Sequence, residues 1–181
     1  MQYTTMQNGI VLNRADGTKL RLQVYGDKVV RLSCCFGSFS EEPSLMVCEK
    51  PWSDHFEVRE NDVFITFCTG QLRIKIDKKD CTIQYAGRDG RHLLSQGRYG
   101  IELFPQKIEI PHYEMDGAAV GSMKLTDTVV KEGCRFSLRF DFSENEPIYG
   151  FGSGTTGRLN RLEKEQYLYQ YNYSAPAPFF V

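Results

Sequence analysis

The sequence predicts an all-β chain, an antiparallel β-sandwich with few or no helices, and three observations lead there. Apolar and polar residues alternate in several short runs, turn-forming residues separate those runs, and helical periodicity is nearly absent. Leu20, Leu22 and Val24 alternate with Arg21, Gln23 and Tyr25. Leu72, Ile74 and Ile76 alternate with Arg73 and Lys75, and Phe136, Leu138, Phe140 and Phe142 alternate with Arg135, Ser137, Arg139 and Asp141. A period of two with one apolar face makes each run a strand lying on a core.

Between the runs stand Ala15-Asp16-Gly17, Tyr25-Gly26-Asp27, Glu60-Asn61-Asp62, Lys78-Lys79-Asp80 and Arg88-Asp89-Gly90. These residues tolerate positive φ or bond their own backbone, so each is a hairpin candidate. Hairpins this closely spaced give antiparallel pairing, because parallel strands need crossovers of about a dozen residues or more. Two stretches break the pattern and read as long loops: Gly37 to Asp54, rich in Ser, Glu and Pro, and Gln106 to Gly121, which holds His112, Tyr113 and Met115. The one helix-like window, Arg158 to Gln166, is short and close to glycine.

A chain of 181 residues is long enough for one well-buried domain. Its formal net charge of −1 leaves no broad electrostatic footprint for nucleic acid or anionic lipid. Six cysteines are few for a disulfide scaffold of this length, two are adjacent, and no pair shows zinc-like spacing, so the reading is free thiols and no metal or other cofactor. The N-terminus has no basic segment followed by an apolar run, and nowhere do about 18 apolar residues occur together. The expectation is a cytoplasmic protein without membrane contact, with secretion left open if a signal peptide has been removed. Asn172-Tyr173-Ser174 matches a glycosylation sequon, which matters only in a eukaryotic secretory pathway.

Candidate chemistry concentrates near the C-terminus. Gly152-Ser153-Gly154-Thr155-Thr156-Gly157 matches the dinucleotide fingerprint letter for letter, but the βαβ unit of about thirty residues and the later acidic residue are missing. It reads as a glycine loop. The glycines beside Ser153 are immediate neighbours, so the nucleophile-elbow spacing fails as well. His55, His92 and His112 are the only histidines, and His112 with Glu114 is the one pairing suited to proton transfer on a sugar. Glu41-Glu42 and Glu144/Glu146 sit in polar stretches that read as solvated surface, so no catalytic residue is assigned. Tyr167, Tyr169, Tyr171 and Tyr173 recur with period two among Gln166, Gln170 and Asn172. That pattern fits best one face of a strand packed on a neighbouring domain, with aromatic and amide contacts to sugar rings as the second reading.

The C-terminal segment resembles the region that joins the N-terminal β-sandwich to the catalytic barrel in glycoside hydrolase family 31, the α-glucosidases and α-xylosidases. The resemblance rests on Glu146-Pro147-Ile148-Tyr149-Gly150-Phe151-Gly152, on Leu159-Asn160-Arg161, on Leu168-Tyr169-Gln170-Tyr171-Asn172 and on Pro178-Phe179-Phe180-Val181, with Val29-Val30-Arg31-Leu32 upstream. It implies a galactose-mutarotase-like supersandwich over residues 1–147 and a glycine-rich turn and tyrosine-rich segment over 148–181 leading toward a barrel. The apolar, strand-like ending at Phe179-Phe180-Val181 predicts that the natural chain continues into that barrel. The family's two catalytic aspartates lie on the barrel, so the resemblance implies that this segment carries neither and that the full-length protein is a retaining α-glycosidase. It further implies that the stretch from Tyr169 to Ser174 forms a loop near the substrate pocket, with Tyr169, Gln170 and Asn172 as oligosaccharide contacts. The alternatives are a freestanding carbohydrate-binding module and, from the fold analogy alone, a sugar mutarotase using His112 and Glu114.

Overall fold

The computed structural model describes residues 1–40, 54–97, 100–115, 123–153, 159–162 and 175–181. The chain divides into two compact units, Met1–Asp141 and Phe142–Val181. All described regular structure is β-strand, and every strand pairing is antiparallel.

In the first unit, β1 (Gln2–Met6), β2 (Gly9–Asn13), β3 (Thr18–Gly26) and β4 (Val29–Phe36) form a four-stranded meander. A five-stranded meander follows: β5 (Glu57–Glu60), β6 (Phe64–Cys68), β7 (Leu72–Asp77), β8 (Ile83–Gly87) and β9 (His92–Ser95). The polar sequence of β1 had hidden it, because Gln and Thr show no apolar alternation.

The hairpins form where expected, and side-chain carboxylates and amides explain why. Asp16 Oδ1 accepts from both the Thr18 amide (2.9 Å) and the Thr18 hydroxyl (2.6 Å), and Gly17 takes φ 82°. Asn61 Oδ1 accepts from the Val63 and Phe64 amides, Asp80 Oδ1 from Thr82, and Asp89 Oδ1 from Arg91. Each turn thus replaces a lost ladder bond with one made by its own side chain. Gly9 is a glycine of close approach, since a Cβ there would collide with the Leu22 carbonyl on the neighbouring strand.

The inward residues of the two meanders meet in one core. Ile10, Leu12, Leu20, Leu22 and Val24 come from the first sheet and Ile65, Phe67, Ile74, Ile76 and Ile83 from the second, all essentially inaccessible to solvent. Two sheets facing each other across such a layer are a β-sandwich. Phe56 stacks on Phe67 with ring centroids 5.1 Å apart. The opposite face of β3 departs from simple alternation: Arg21 and Gln23 are also buried, and the Arg21 guanidinium lies 4.2 Å from the centre of the Phe39 ring.

A larger correction concerns the second expected loop. Residues from Gln106 onward continue β10 (Ile101–Met115), which pairs with β11 (Met123–Leu138) in a long two-stranded hairpin. Pro105 and Pro111 hid this strand in the sequence. Proline is tolerated because both strands of an isolated pair have an open edge, so a missing N–H can face solvent. Ile101↔Leu138, Leu103↔Phe136 and Pro105↔Cys134 are direct cross-strand partners and share one face. That face leaves the core where Ile101 packs against it and emerges into solvent, with Leu138 47% and Phe136 72% exposed. The sequence predicted a face lying on a core; in this chain it is open.

Candidate functional site

The second unit brings together three of the motifs that carry the family resemblance, while Val29–Leu32 lies in the first unit and Leu168–Asn172 outside the described residues. β12 (Gly150–Ser153) pairs with β13 (Ala175–Phe180), through Gly150↔Phe180, Gly152↔Pro176 and Ser153↔Ala175. The expected glycine-dense turn is therefore a strand as far as Ser153, with a bulge between Gly150 and Gly152. Gly150, Phe151 and Gly152 all have positive φ, at 120°, 65° and 82°. At Gly150 a Cβ would strike the Phe179 carbonyl, so only glycine lets β13 approach this closely. Phe151 accepts a conformation that L-residues avoid, and its ring stacks on Phe180 at 5.5 Å.

Asn160 ties the next motif to this strand pair. Its Oδ1 accepts from the Ile148 amide (3.1 Å) and the Leu162 amide (3.0 Å), while the Arg161 amide donates to the Ile148 carbonyl at 2.7 Å. Tyr149 and Val181 exchange two backbone bonds of 2.9 Å each. Segments far apart in sequence, 146–152, 159–161 and 178–181, thus converge on one small strand pair. Of the helix-like window, Leu159–Leu162 is turn and irregular chain, and the remainder lies outside the described residues.

Tyr169, Gln170 and Asn172, the expected sugar contacts, lie outside the described residues. So do Glu41-Glu42 and most of the dinucleotide-like run after Ser153. The structure places His112 on β10, exposed and opposite Asp127, with its carbonyl accepting from the Thr126 hydroxyl at 3.2 Å. Glu146 turns inward on its own chain, its carboxylate accepting from the Ser143 amide at 2.8 Å. His92 Nε2 lies 2.8 Å from the Ser95 hydroxyl. Among the described residues no group of three His, Cys, Asp or Glu side chains is placed to hold a metal ion.

Sequence reasoning missed one buried polar centre in the first unit. Arg14, 9% exposed, donates to the Ile101 carbonyl at 2.8 Å, pairs with Asp16 at 3.3 Å and reaches the Cys34 sulfur at 4.0 Å. Burial alone would raise the Asp16 carboxyl, but the Thr18 bonds and the Arg14 charge outweigh it and hold that group below its ordinary value. Cys81 lies nearby, its sulfur 3.8 Å from Met1 Sδ, and burial pushes its thiol up to about 11 despite Arg14. A thiol held protonated is a poor nucleophile, so this centre joins strands rather than performing chemistry. Nothing in the spacing of Arg14, Cys34 and Cys81 signals their meeting. Burial also raises the Tyr85 phenol to about 12.

Known proteins of the same architecture fit this description. The fold is that of a GH31 α-xylosidase from Xanthomonas citri (TM-score 0.78, 23% identity), covering 98% of this chain and 17% of that one. A GH31 α-xylosidase from a soil metagenome superposes with a TM-score of 0.71 at 15% identity, covering 100% and 26%. The GH31 dextranase of Flavobacterium johnsoniae does so with a TM-score of 0.65 at 19% identity, covering 99% and 20%. The chain therefore spans between 17% and 26% of the length of these solved structures. Residues 19–178 match the glycosyl hydrolase 31 N-terminal galactose mutarotase-like domain, and the chain belongs to that family.

Proposed function

We propose that this chain is the non-catalytic N-terminal domain of a retaining α-glycosidase acting on α-xylosides or α-glucosides, and that it seats and shapes a catalytic barrel in the same polypeptide. The observation that carries the reading is the family match along most of the chain, by a domain that makes up only about a fifth of each enzyme of like fold. Two of those enzymes are α-xylosidases, which supports the xyloside side of the proposal.

The open hairpin supports the seating role. Phe136, Val130, Leu125 and Tyr113 are each more than half exposed, a concentration of apolar surface that soluble domains reserve for a partner. In this reading the barrel is that partner, and the stretch from Tyr169 to Ser174, which runs into β13 beside Ser153, contributes Tyr169, Gln170 and Asn172 to the sugar pocket. Retaining hydrolysis needs two carboxylates about 5–5.5 Å apart, and both are assigned to the barrel.

The test is hydrolysis of aryl α-xyloside and aryl α-glucoside. The isolated chain is expected to release no aryl alcohol, while a longer polypeptide carrying the barrel turns over at least one of the two. Turnover by the purified chain alone would overturn the proposal.

A further inference from the structure

Three turns meet at one end of the sandwich. They are the β3–β4 turn at Asp27 and Lys28, the β6–β7 turn at Thr69 to Gln71, and the β8–β9 turn at Arg88 to Arg91. The Gln71 amide donates to the Asp27 carbonyl at 3.2 Å, and the Arg88 amide donates to the Gln71 carbonyl at 2.9 Å. The Thr69 hydroxyl, on a buried residue, adds a bond to the Asp27 carbonyl. Between the turns lies a groove of about 440 Å³, within the range of small-molecule sites.

The groove is cationic. Lys28, Arg88 and Arg91 line it, and none of their side chains has an ion pair or hydrogen bond among the described residues. Two carboxylates are near: Asp89, which lines the groove and is engaged with its own turn, and Asp27. Asp89 Oδ1 accepts from the Arg91 amide at 3.0 Å, and the Asp27 carboxyl lies against Gly70, 2.6 Å from where a Cβ would stand. Arg88 also borders an adjoining hollow whose one carboxylate, Glu57, is paired with Arg59 at 3.1 Å. Three cations without described partners, from two of the three mutually fixed turns, raise the local potential for an anion. Leu72 and Leu93 give the same groove apolar surface.

We propose that this groove binds an anionic sugar, a carbohydrate ring bearing a carboxylate or a phosphate group. The guanidinium forks of Arg88 and Arg91 match an oxyanion geometrically, Lys28 adds a point charge, and Leu72 and Leu93 receive the C–H face of the ring. The carbohydrate part rests on the proposed function; the oxyanion part rests on the groove alone.

Titration calorimetry of the full chain at low ionic strength tests this with a galacturonate trisaccharide, glucose 6-phosphate, inorganic phosphate and maltotriose. At least one anionic sugar is expected to bind saturably, and the Arg88→Gln/Arg91→Gln double variant to weaken it at least tenfold. Salt of about 0.5 M should abolish it, and Lys107→Gln, on the exposed hairpin, should leave it unchanged. Tighter binding of the trisaccharide identifies a sugar carboxylate, and tighter binding of glucose 6-phosphate a phosphate ester. Both arginines are exposed and have no side-chain partner among the described residues, so the double variant folds, which circular dichroism verifies. No heat with either anionic sugar overturns the inference. So does binding that the double variant leaves intact, or inorganic phosphate or maltotriose binding as tightly as the anionic sugars. These outcomes are separate from the hydrolysis test, since the groove can fail in an active glycosidase and can bind in a chain whose longer form hydrolyses nothing.

Discussion

The sandwich core and the β10–β11 hairpin carry the same period-two pattern and meet opposite fates. Leu20, Leu22 and Val24 alternate with polar residues on β3 and are fully buried; Leu138 and Phe136 alternate with polar residues on β11 and are 47% and 72% exposed. Alternation therefore reports that a strand has two chemically different faces, and says nothing about whether the apolar face has found its partner. In the sandwich the partner is the second sheet. For the hairpin, the proposed partner is another domain.

The sharpest way to expose the difference is truncation on each side of it. Phe67→Ala, in the closed core beneath Phe56, is expected to cost about 3–5 kcal/mol in chemical denaturation. Phe136→Ser is expected to change the stability of this chain by no more than about 0.5 kcal/mol, because the ring already faces water. Costs of similar size would mean that the hairpin face is buried in this chain after all.

The Arg14 centre sharpens the comparison from the polar side. Arg14→Met strands the Ile101 carbonyl and removes the charge beside Asp16, and the loss expected from urea unfolding is about 1.5–3 kcal/mol. Asp16 adds a pH signature. Its folded value lies below the ordinary 3.8, so its contribution is present above that pH and disappears as the pH falls through the lower folded value. Asp16→Asn should flatten that acid limb of the stability profile. Because the carboxyl is half-exposed, solvent screening keeps the effect small.

Thiol chemistry gives the smallest contrast. Cys134, exposed on β11, should be alkylated by iodoacetamide at pH 8 well before Cys68 in the core or Cys81, whose thiol is held near 11. Equal labelling rates would contradict the burial described for the sandwich.

How much the sequence revealed follows from the kind of physics involved. The hairpin turns were legible because Asp16, Asn61, Asp80 and Asp89 act on their own backbone within three residues. The strand at Gln106 to Met115 was not, since Pro105 and Pro111 argue against a strand unless its edges are known to be open. Burial of Arg21 and Gln23 was equally hidden, being decided by distant chain such as Phe39. At the C-terminus, the motifs at 146–152, 159–161 and 178–181 were legible as a set, and the structure unites them through Asn160 and the close approach at Gly150. Tyr169, Gln170 and Asn172 remain a proposal, because they lie outside the described residues.

One measurement bears most directly on the account: thermal unfolding and α-xyloside hydrolysis of Phe136→Asp, made both in this chain and in a longer polypeptide that includes the barrel. The account predicts an unchanged unfolding midpoint in the chain alone. In the longer protein it predicts a lowered midpoint and reduced hydrolysis, as a charge enters an apolar interface. A longer protein that keeps both its midpoint and its rate would contradict the claim that the hairpin seats the catalytic domain.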